Sequence, residues 1–370
     1  MWDVVILGGG PAGAASAISL RQTFPSLRVL MVEASDYSRA RAGEVLPPVA
    51  RGLLEHLGVL EKMPDVGSAA RGLACAWGGE RVRETSYFYG LAGEGWHLER
   101  NRFDAMLAAQ AEELGVEVWL RTAMHFAERC SDEWRLSLSG GKSVEARWVI
   151  DATGRSAAFS RKQGARRIVR DSLTAFSRVF TCDAVAEART LVEACAMGWW
   201  YTAPLPRGRR VVSLLTDADL GRRARLVDEG CWLRELERSE HVSSLADGGE
   251  LLPGALIRSA ATVSLDRVVG DRWIATGDAA AAFDPLSAQG MTSAMRSGVL
   301  AGFAVGDMLV KQKASAVQRY AAIARVQQGS FARTHREHYA EEQRWSNQPF
   351  WRRRHSVQAM DESLAMQGAA

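Results

Sequence analysis

The stretch WDVVILGGGPAGAASAISL, residues 2–20, limits the possible folds more than any other part of the chain. An apolar run from Val4 to Leu7 reads as a buried strand. It enters Gly8-x-Gly10-x-x-Gly13, and Pro11 and Ala12 open an alanine-rich helix. A second apolar strand, LRVLMVEA, follows and carries Glu33 and Ala34 at its end. Gly8 permits the tight turn, Gly10 lets the backbone approach a pyrophosphate, and Gly13 lets helix and strand pack closely. The helix N-terminus offers free N–H groups and a positive dipole end to phosphate. Glu33 stands at the distance from which an acid accepts hydrogen bonds from an adenosine ribose. Strand, turn, helix, strand and acid together predict a dinucleotide site, without separating FAD from NAD.

A second segment, DRWIATGDAAAAFDPLSAQGMTSAMRSGVLAG, residues 271–302, separates them. An apolar strand ends at Gly277-Asp278, a loop carries Asp284-Pro285, and Gly290-Met291 begin a long helix of small residues. This resembles the second FAD fingerprint of the flavoprotein monooxygenase and halogenase superfamily, which shares the fold of para-hydroxybenzoate hydroxylase. The resemblance implies that Asp278 binds the ribityl hydroxyls. It also implies that the helix from Gly290 aims its positive end at the flavin N1–C2=O edge. HLERNRFDAMLAAQAEELGVEVWL has the superfamily's Arg-x-x-Phe-Asp helix start, so Arg100 is expected at the FAD pyrophosphate or ribityl chain; an ion pair with Glu99 or Asp104 is the alternative. RWVIDATGRSA brings Thr153-Gly154 to the adenine half, and RAGEVLPP brings Gly43-Glu44 beside the isoalloxazine, with Arg41 nearby. Pro285 and Met124 complete the expected cofactor set. Glu44 could equally bond the amides of its own loop.

The expected fold class is α/β: a Rossmann-like FAD-binding domain with an inserted β-sheet substrate lobe and a helical C-terminal segment. The FAD domain is discontinuous, residues 1–65, 98–160 and 265–310. Residues 66–97 and 161–264 form the lobe, and 311–370 the aromatic-basic segment. No second GxGxxG unit occurs, so electrons are expected from transiently bound NAD(P)H or an external flavin reductase. Hydrophobic and charged fractions of 47% and 24% are those of a globular protein, and a formal charge of +3 argues against nucleic acid. Five cysteines without CxxC indicate neither a metal site nor a disulfide framework. No apolar run reaches a membrane span, and a cytoplasmic location is expected.

The reaction is read from MGWWYTAPLP, residues 197–206. Tryptophan halogenases carry W-x-W-x-I-P beside the flavin, and Trp199-x-Tyr201-x-Ala203-Pro204 resembles it with Tyr and Ala substituted. Halogenases also need a lysine between flavin and substrate. None lies between Lys62 and Lys142, which disfavours halogenation. GEVLPPVARGLLEHLGVLE, GWWYTAPLP, GDAAAAFDPLSAQG and YAEEQRWSNQPFWRRR resemble the flavoproteins that mature tryptophylquinone enzymes, namely lysine and glycine oxidases and quinohemoprotein amine dehydrogenase. The resemblance implies hydroxylation of a tryptophan side chain in a partner polypeptide, a tryptophylquinone enzyme precursor, with molecular oxygen and a flavin C4a-hydroperoxide as electrophile. Trp199, Tyr201 and Pro204 would then line the substrate pocket, with Glu44 and Tyr201 the catalytic candidates. The alternatives are a hydroxylase of a small free or carrier-bound aromatic metabolite, and a non-catalytic flavoprotein chaperone. Trp199 and Trp200 could instead alternate between core and surface. His97 reads as a strand residue before an acid or base. Trp345, Phe350, Trp351 and Arg352 to Arg354 suit either a docking surface for a protein substrate or a helix packed back on the FAD domain.

Overall fold

A computed structural model describes residues 1–39, 41–87, 93–182 and 189–356 of the chain. Trp2–Leu7, apolar from Val4 onward, forms a strand buried in the middle of an eight-stranded sheet. Its neighbours are parallel: Ser143–Asp151 on one side and Val29–Val32 on the other. Trp273–Ala275 and Glu117–Trp119 extend the parallel core outward. Such strands are covered on both faces, which is why they read as unbroken apolar runs. The hairpin Met124–Cys130 with Glu133–Leu138 adds to Ser143–Asp151.

The two helices named by the motifs, Pro11–Thr23 and Gly290–Lys311, pack directly on one another. Small residues permit the close approach. A Cβ at Gly298 would overlap the Ala12 carbonyl oxygen, and Ser16 Oγ donates to the carbonyls of Ala12 and Gly298 at 2.8 and 3.0 Å. Both helix N-termini therefore open at the same end of the sheet.

A separate seven-stranded sheet runs Leu256–Ser259, Leu173–Thr181, Arg209–Asp217, Gly198–Leu205, Arg189–Cys195, Gly72–Ala76, Arg83–Ser86. Gly198–Leu205 lies at its centre, and its two tryptophans face opposite sides as the twofold period of a strand requires. Both are buried, which sets aside the alternative of one core and one surface tryptophan. Trp200 meets Trp232 edge-on at 5.3 Å, beneath the helix Glu229–Glu237. Trp199 belongs to a second cluster with Leu215, Tyr339, Phe350 and Trp351.

That cluster is where the C-terminal segment goes. The helix Ala314–Glu341 crosses from the parallel-sheet side, and residues 349–356 form a further helical stretch. Phe350 and Trp351 are buried, and Trp351 Nε1 donates to the Cys195 carbonyl at 2.8 Å. Arg353 pairs with Asp217 and Asp219 and Arg354 with Asp217, at 2.7–2.9 Å. The docking-surface reading is thus corrected for buried Phe350 and Trp351 and for Arg354, whose side chain is 7% exposed; Arg353 stays 44% exposed while pairing with buried Asp217, whose charge left unpaired would be strongly destabilising. The packing partner is the seven-stranded sheet, not the dinucleotide-binding half. Among the described residues, Arg352 is the one of the three arginines that is exposed and forms no ion pair. No helix among the described residues is long and apolar enough to cross a membrane.

Candidate active site

The two sheets enclose a cavity of about 740 Å³. Its floor is built by the glycine-rich turn and the second fingerprint. Gly8, at φ +106°, takes a conformation that glycine alone adopts freely, and a Cβ there would overlap the Ala152 carbonyl. Gly10 and Gly290 face open space: the nearest atom to a Cβ at Gly10 would be Arg41 Nη1 at 4.0 Å, and none lies within 4 Å at Gly290. Pro11, Ala12, Ala34, Met124, Thr153, Gly154, Pro285 and Met291 line the same floor. Gly13 and Gly277 lie behind it, where they let the helices and turns close up.

Charged groups are held by their neighbours. Glu33 accepts the Gly9 N–H at 2.7 Å and the Arg41 guanidinium at 2.9 Å. Burial alone would raise its carboxyl; the hydrogen bonds of Ser35 and Gly9, with Arg41, hold it below the ordinary value instead. Arg41 also reaches buried Asp104 at 2.8 Å. Arg100 pairs with Asp104 at 3.2 Å, the alternative foreseen for it, and also donates to the Ala42 carbonyl beside the cavity. The two arginines therefore fasten the 41–44 loop to the helix Arg100–Glu113. Asp278 opens into the cavity, and desolvation by the walls raises its carboxyl despite Arg155 at 3.7 Å and the more distant Arg100.

The cavity roof is one face of the seven-stranded sheet, including Ala175, Ser177, Leu215, Ser213, Trp199, Tyr201, Val192 and Thr190. Tyr201 and Glu44 face one another across the space, near enough for each to shift the other's acidity. The backbone amides of Gly43 and of Glu44 itself also favour its carboxylate, the loop-bonding alternative considered for it. Burial raises both acids: Glu44 above the usual carboxylate, and Tyr201 well above an ordinary phenol. Pro204 does not line the cavity. It is three residues from Tyr201 and shares the other face with Trp200, so its expected place in the pocket is corrected by strand alternation. His97 is fully buried outside the cavity lining, with Nε2 3.2 Å from Thr190 Oγ1; burial and Arg210 lower its pKa to about 4.

Sequence reasoning missed a buried chain behind the wall. Trp199 Nε1 donates to Tyr339 Oη at 3.0 Å, and Tyr339 Oη donates to Asp284 Oδ2 at 2.8 Å. His335 Nε2 lies 3.0 Å from the same Asp284 oxygen, and the Leu286 N–H reaches Oδ1 at 2.9 Å. Burial would raise Asp284; the His335 hydrogen bond and charge, the Leu286 amide and Arg354 keep it below the ordinary carboxylate. The Asp284-Pro285 pair was visible in the motif, whereas nothing local marked Tyr339 as its partner.

Two glycine-opened helix N-termini, an acid beneath the turn and a cavity of this size fit a bound dinucleotide flavin, and the comparisons with known proteins agree. The chain belongs to the FAD binding domain family, whose model matches residues 1–327. It is 31% identical to the FAD-dependent oxidoreductase LodB of Marinomonas mediterranea, the match covering 98% of this chain and 99% of that protein. The solved structure of QhpG, a peptidyl tryptophan dihydroxylase essential for tryptophylquinone cofactor biogenesis, superposes with a TM-score of 0.77 at 27% identity, covering 96% of this chain and 78% of that one. The fold is also that of the myxobacterial chondrochloren halogenase CndH, with a TM-score of 0.86 at 21% identity and coverage of 100% and 90%. The protein is an FAD-dependent oxidoreductase of the halogenase and para-hydroxybenzoate hydroxylase fold.

Proposed function

We propose that the protein inserts oxygen into the indole ring of a tryptophan presented by a partner polypeptide, during maturation of a quinone cofactor. One observation carries the reading: a roof offering the aromatic faces of Trp199 and Tyr201 and the apolar side chain of Leu215 faces the flavin cradle across one cavity. Likeness to LodB, and to QhpG, which acts on a peptidyl tryptophan, supports it. Halogenase relatives share the fold. Among the described cavity-lining residues, however, the cations are Arg41, Arg100, Arg155 and Arg258, with no lysine.

FAD, when bound and reduced, supplies activated oxygen: one atom enters the ring and the other leaves as water, with NAD(P)H or a reduced flavin from a reductase as electron source. The chain's own residues do the rest. Trp199 and Leu215 give the ring flat and apolar contact. The walls exclude water. The N-terminus of Gly290–Lys311 supports negative charge on the floor. Glu44, facing Tyr201, would take the ring proton released when aromaticity returns. A small aromatic acid is the competing substrate, favoured by the exposed Arg258 guanidinium on the cavity margin.

The test supplies FAD, reductant and labelled oxygen with a tryptophan-containing precursor polypeptide, free tryptophan and aromatic acids, with halide present. A labelled oxygen atom on the polypeptide alone supports the proposal. Labelling of a small acid selects the competing substrate, and a halogenated product overturns oxygen insertion.

A further inference from the structure

The sheet above the cavity sorts its side chains into rows. Ala175, Leu215 and Trp199 stand opposite one another on adjacent strands. Two residues along each strand, the next row is Ser177, Ser213 and Tyr201, and the row after that is Val179, Val211 and Ala203. A single polar row therefore lies between two apolar ones. Ser177 and Ser213 are 7% and 4% exposed, their hydroxyls are 2.7 Å apart, and both line the cavity. The third member, Tyr201, faces the Glu44 carboxylate, which favours turning its proton toward that acid. Its oxygen thus meets the cavity as an acceptor; in the serine pair Ser213 donates to Ser177, which leaves acceptor lone pairs on both oxygens and one proton, on Ser177.

An apolar roof would need no such row to hold a hydrocarbon ring. Buried hydroxyls are costly unless they are bonded, so covering them with a carbocycle is penalised, and covering them with a ring that donates is not. We propose that the row Ser177–Ser213–Tyr201 is a subsite for a ring N–H. An aromatic ring seated on Trp199 and Leu215 directs its N–H to the serine pair, with the Tyr201 oxygen as second acceptor. This rests on the reading that the substrate ring is an indole and deepens it: the site selects heteroaromatic donors over rings of equal size that lack the proton. Discrimination of this kind is strong because the wrong ring leaves the protein's own polar groups unpaired.

The experiment is a binding titration of the full-length, FAD-loaded, oxidised protein, read by perturbation of the flavin absorbance. The probes are indole, 1-methylindole and benzofuran, the last near-isosteric with indole without the N–H. Wild type is expected to bind indole about tenfold more tightly than either analogue, the equivalent of one net buried hydrogen bond. In the Ser177→Ala/Ser213→Ala double variant the preference should fall below twofold, with FAD content unchanged. The single variant Ser177→Ala, which leaves Ser213 and Tyr201 in place, should keep part of the preference. Equal binding of the three probes by wild type, no binding of indole at all, or an undiminished preference in the double variant would overturn the proposal. Because the readout is binding, it is independent of whether oxygen is inserted. A protein that prefers indole yet labels no tryptophan would overturn the proposed reaction and leave the subsite standing.

Discussion

Tyr339→Phe removes one oxygen atom and leaves the ring, so its cost measures what that oxygen does. The atom accepts from Trp199 Nε1 at 3.0 Å and donates to Asp284 Oδ2 at 2.8 Å. Trp199, Tyr339 and Asp284 are each 1% exposed, so water cannot easily replace either bond. An indole N–H left unpaired in such a place costs about 1–3 kcal/mol. Loss of a donor to a charged acceptor adds about 1.5–3 kcal/mol. The lower end applies to that second loss, because His335 still holds the same oxygen at 3.0 Å. The sum is about 2.5–4.5 kcal/mol, with little added for packing since the edge-on contact to Trp77 at 5.6 Å survives. Tyr320→Phe is the internal standard: its hydroxyl donates to the Ala275 carbonyl at 2.7 Å, and its loss should cost about 1 kcal/mol. Both variants are to be unfolded in urea at matched saturating FAD, because a ligand that binds the folded state adds its own stabilisation. A Tyr339→Phe variant no less stable than Tyr320→Phe would refute the reasoning.

Two further outcomes are expected. His97 is lowered from 6.5 to about 4, so the unfolded chain protonates first as the medium is acidified; the stability it contributes is present above pH 6.5 and is lost toward pH 4. About 2 kcal/mol should be lost by pH 5 through this residue, and His97→Gln should flatten the pH 7-to-5 slope by that amount in denaturant titrations; parallel slopes would contradict the assignment. Gly298→Ala pushes a methyl group onto the Ala12 carbonyl and separates the two helices whose N-termini face the cavity. Overpacking of this kind costs about 1–3 kcal/mol; flavin fluorescence titration should show FAD affinity falling about tenfold, and unchanged affinity would count against the packing argument.

What the sequence disclosed follows from how far apart the interacting residues lie. The Gly8–Gly13 turn and the Gly277–Gly290 segment were legible because each is a local backbone geometry that only certain residues satisfy. Trp199 and Tyr201 were legible as a pair because a strand places alternate residues on one face. The same rule, applied more strictly, excludes Pro204. Glu44 and Tyr201 were both singled out, yet their encounter depends on how the two sheets face each other. Tyr339 lies 140 residues from Trp199 and 55 from Asp284, and no local pattern encodes those meetings. Arg353 and Arg354 looked like a surface for a partner because charge alone does not reveal a counter-ion; Asp217, apparently one more acid at a strand end, was that counter-ion.

The order of synthesis gives the position of Phe350 and Trp351 another meaning. Domains begin folding from the N-terminal side while the ribosome is still adding residues. Both FAD fingerprints have emerged well before residue 339, so the nucleotide cradle can close and take its flavin early. The aromatic roof has no such freedom, because Trp199 obtains its hydrogen-bond partner, and Asp217 its two arginines, only when residues 339–354 are free of the exit tunnel. A nascent or prematurely ended chain would hold flavin beneath an unfinished roof, where reduced cofactor meets oxygen and water without a seated ring. If the proposed oxygen chemistry holds, chains stopped near residue 335 should therefore be yellow and leak hydrogen peroxide, and residues 339–354 would act as a check on the oxidant.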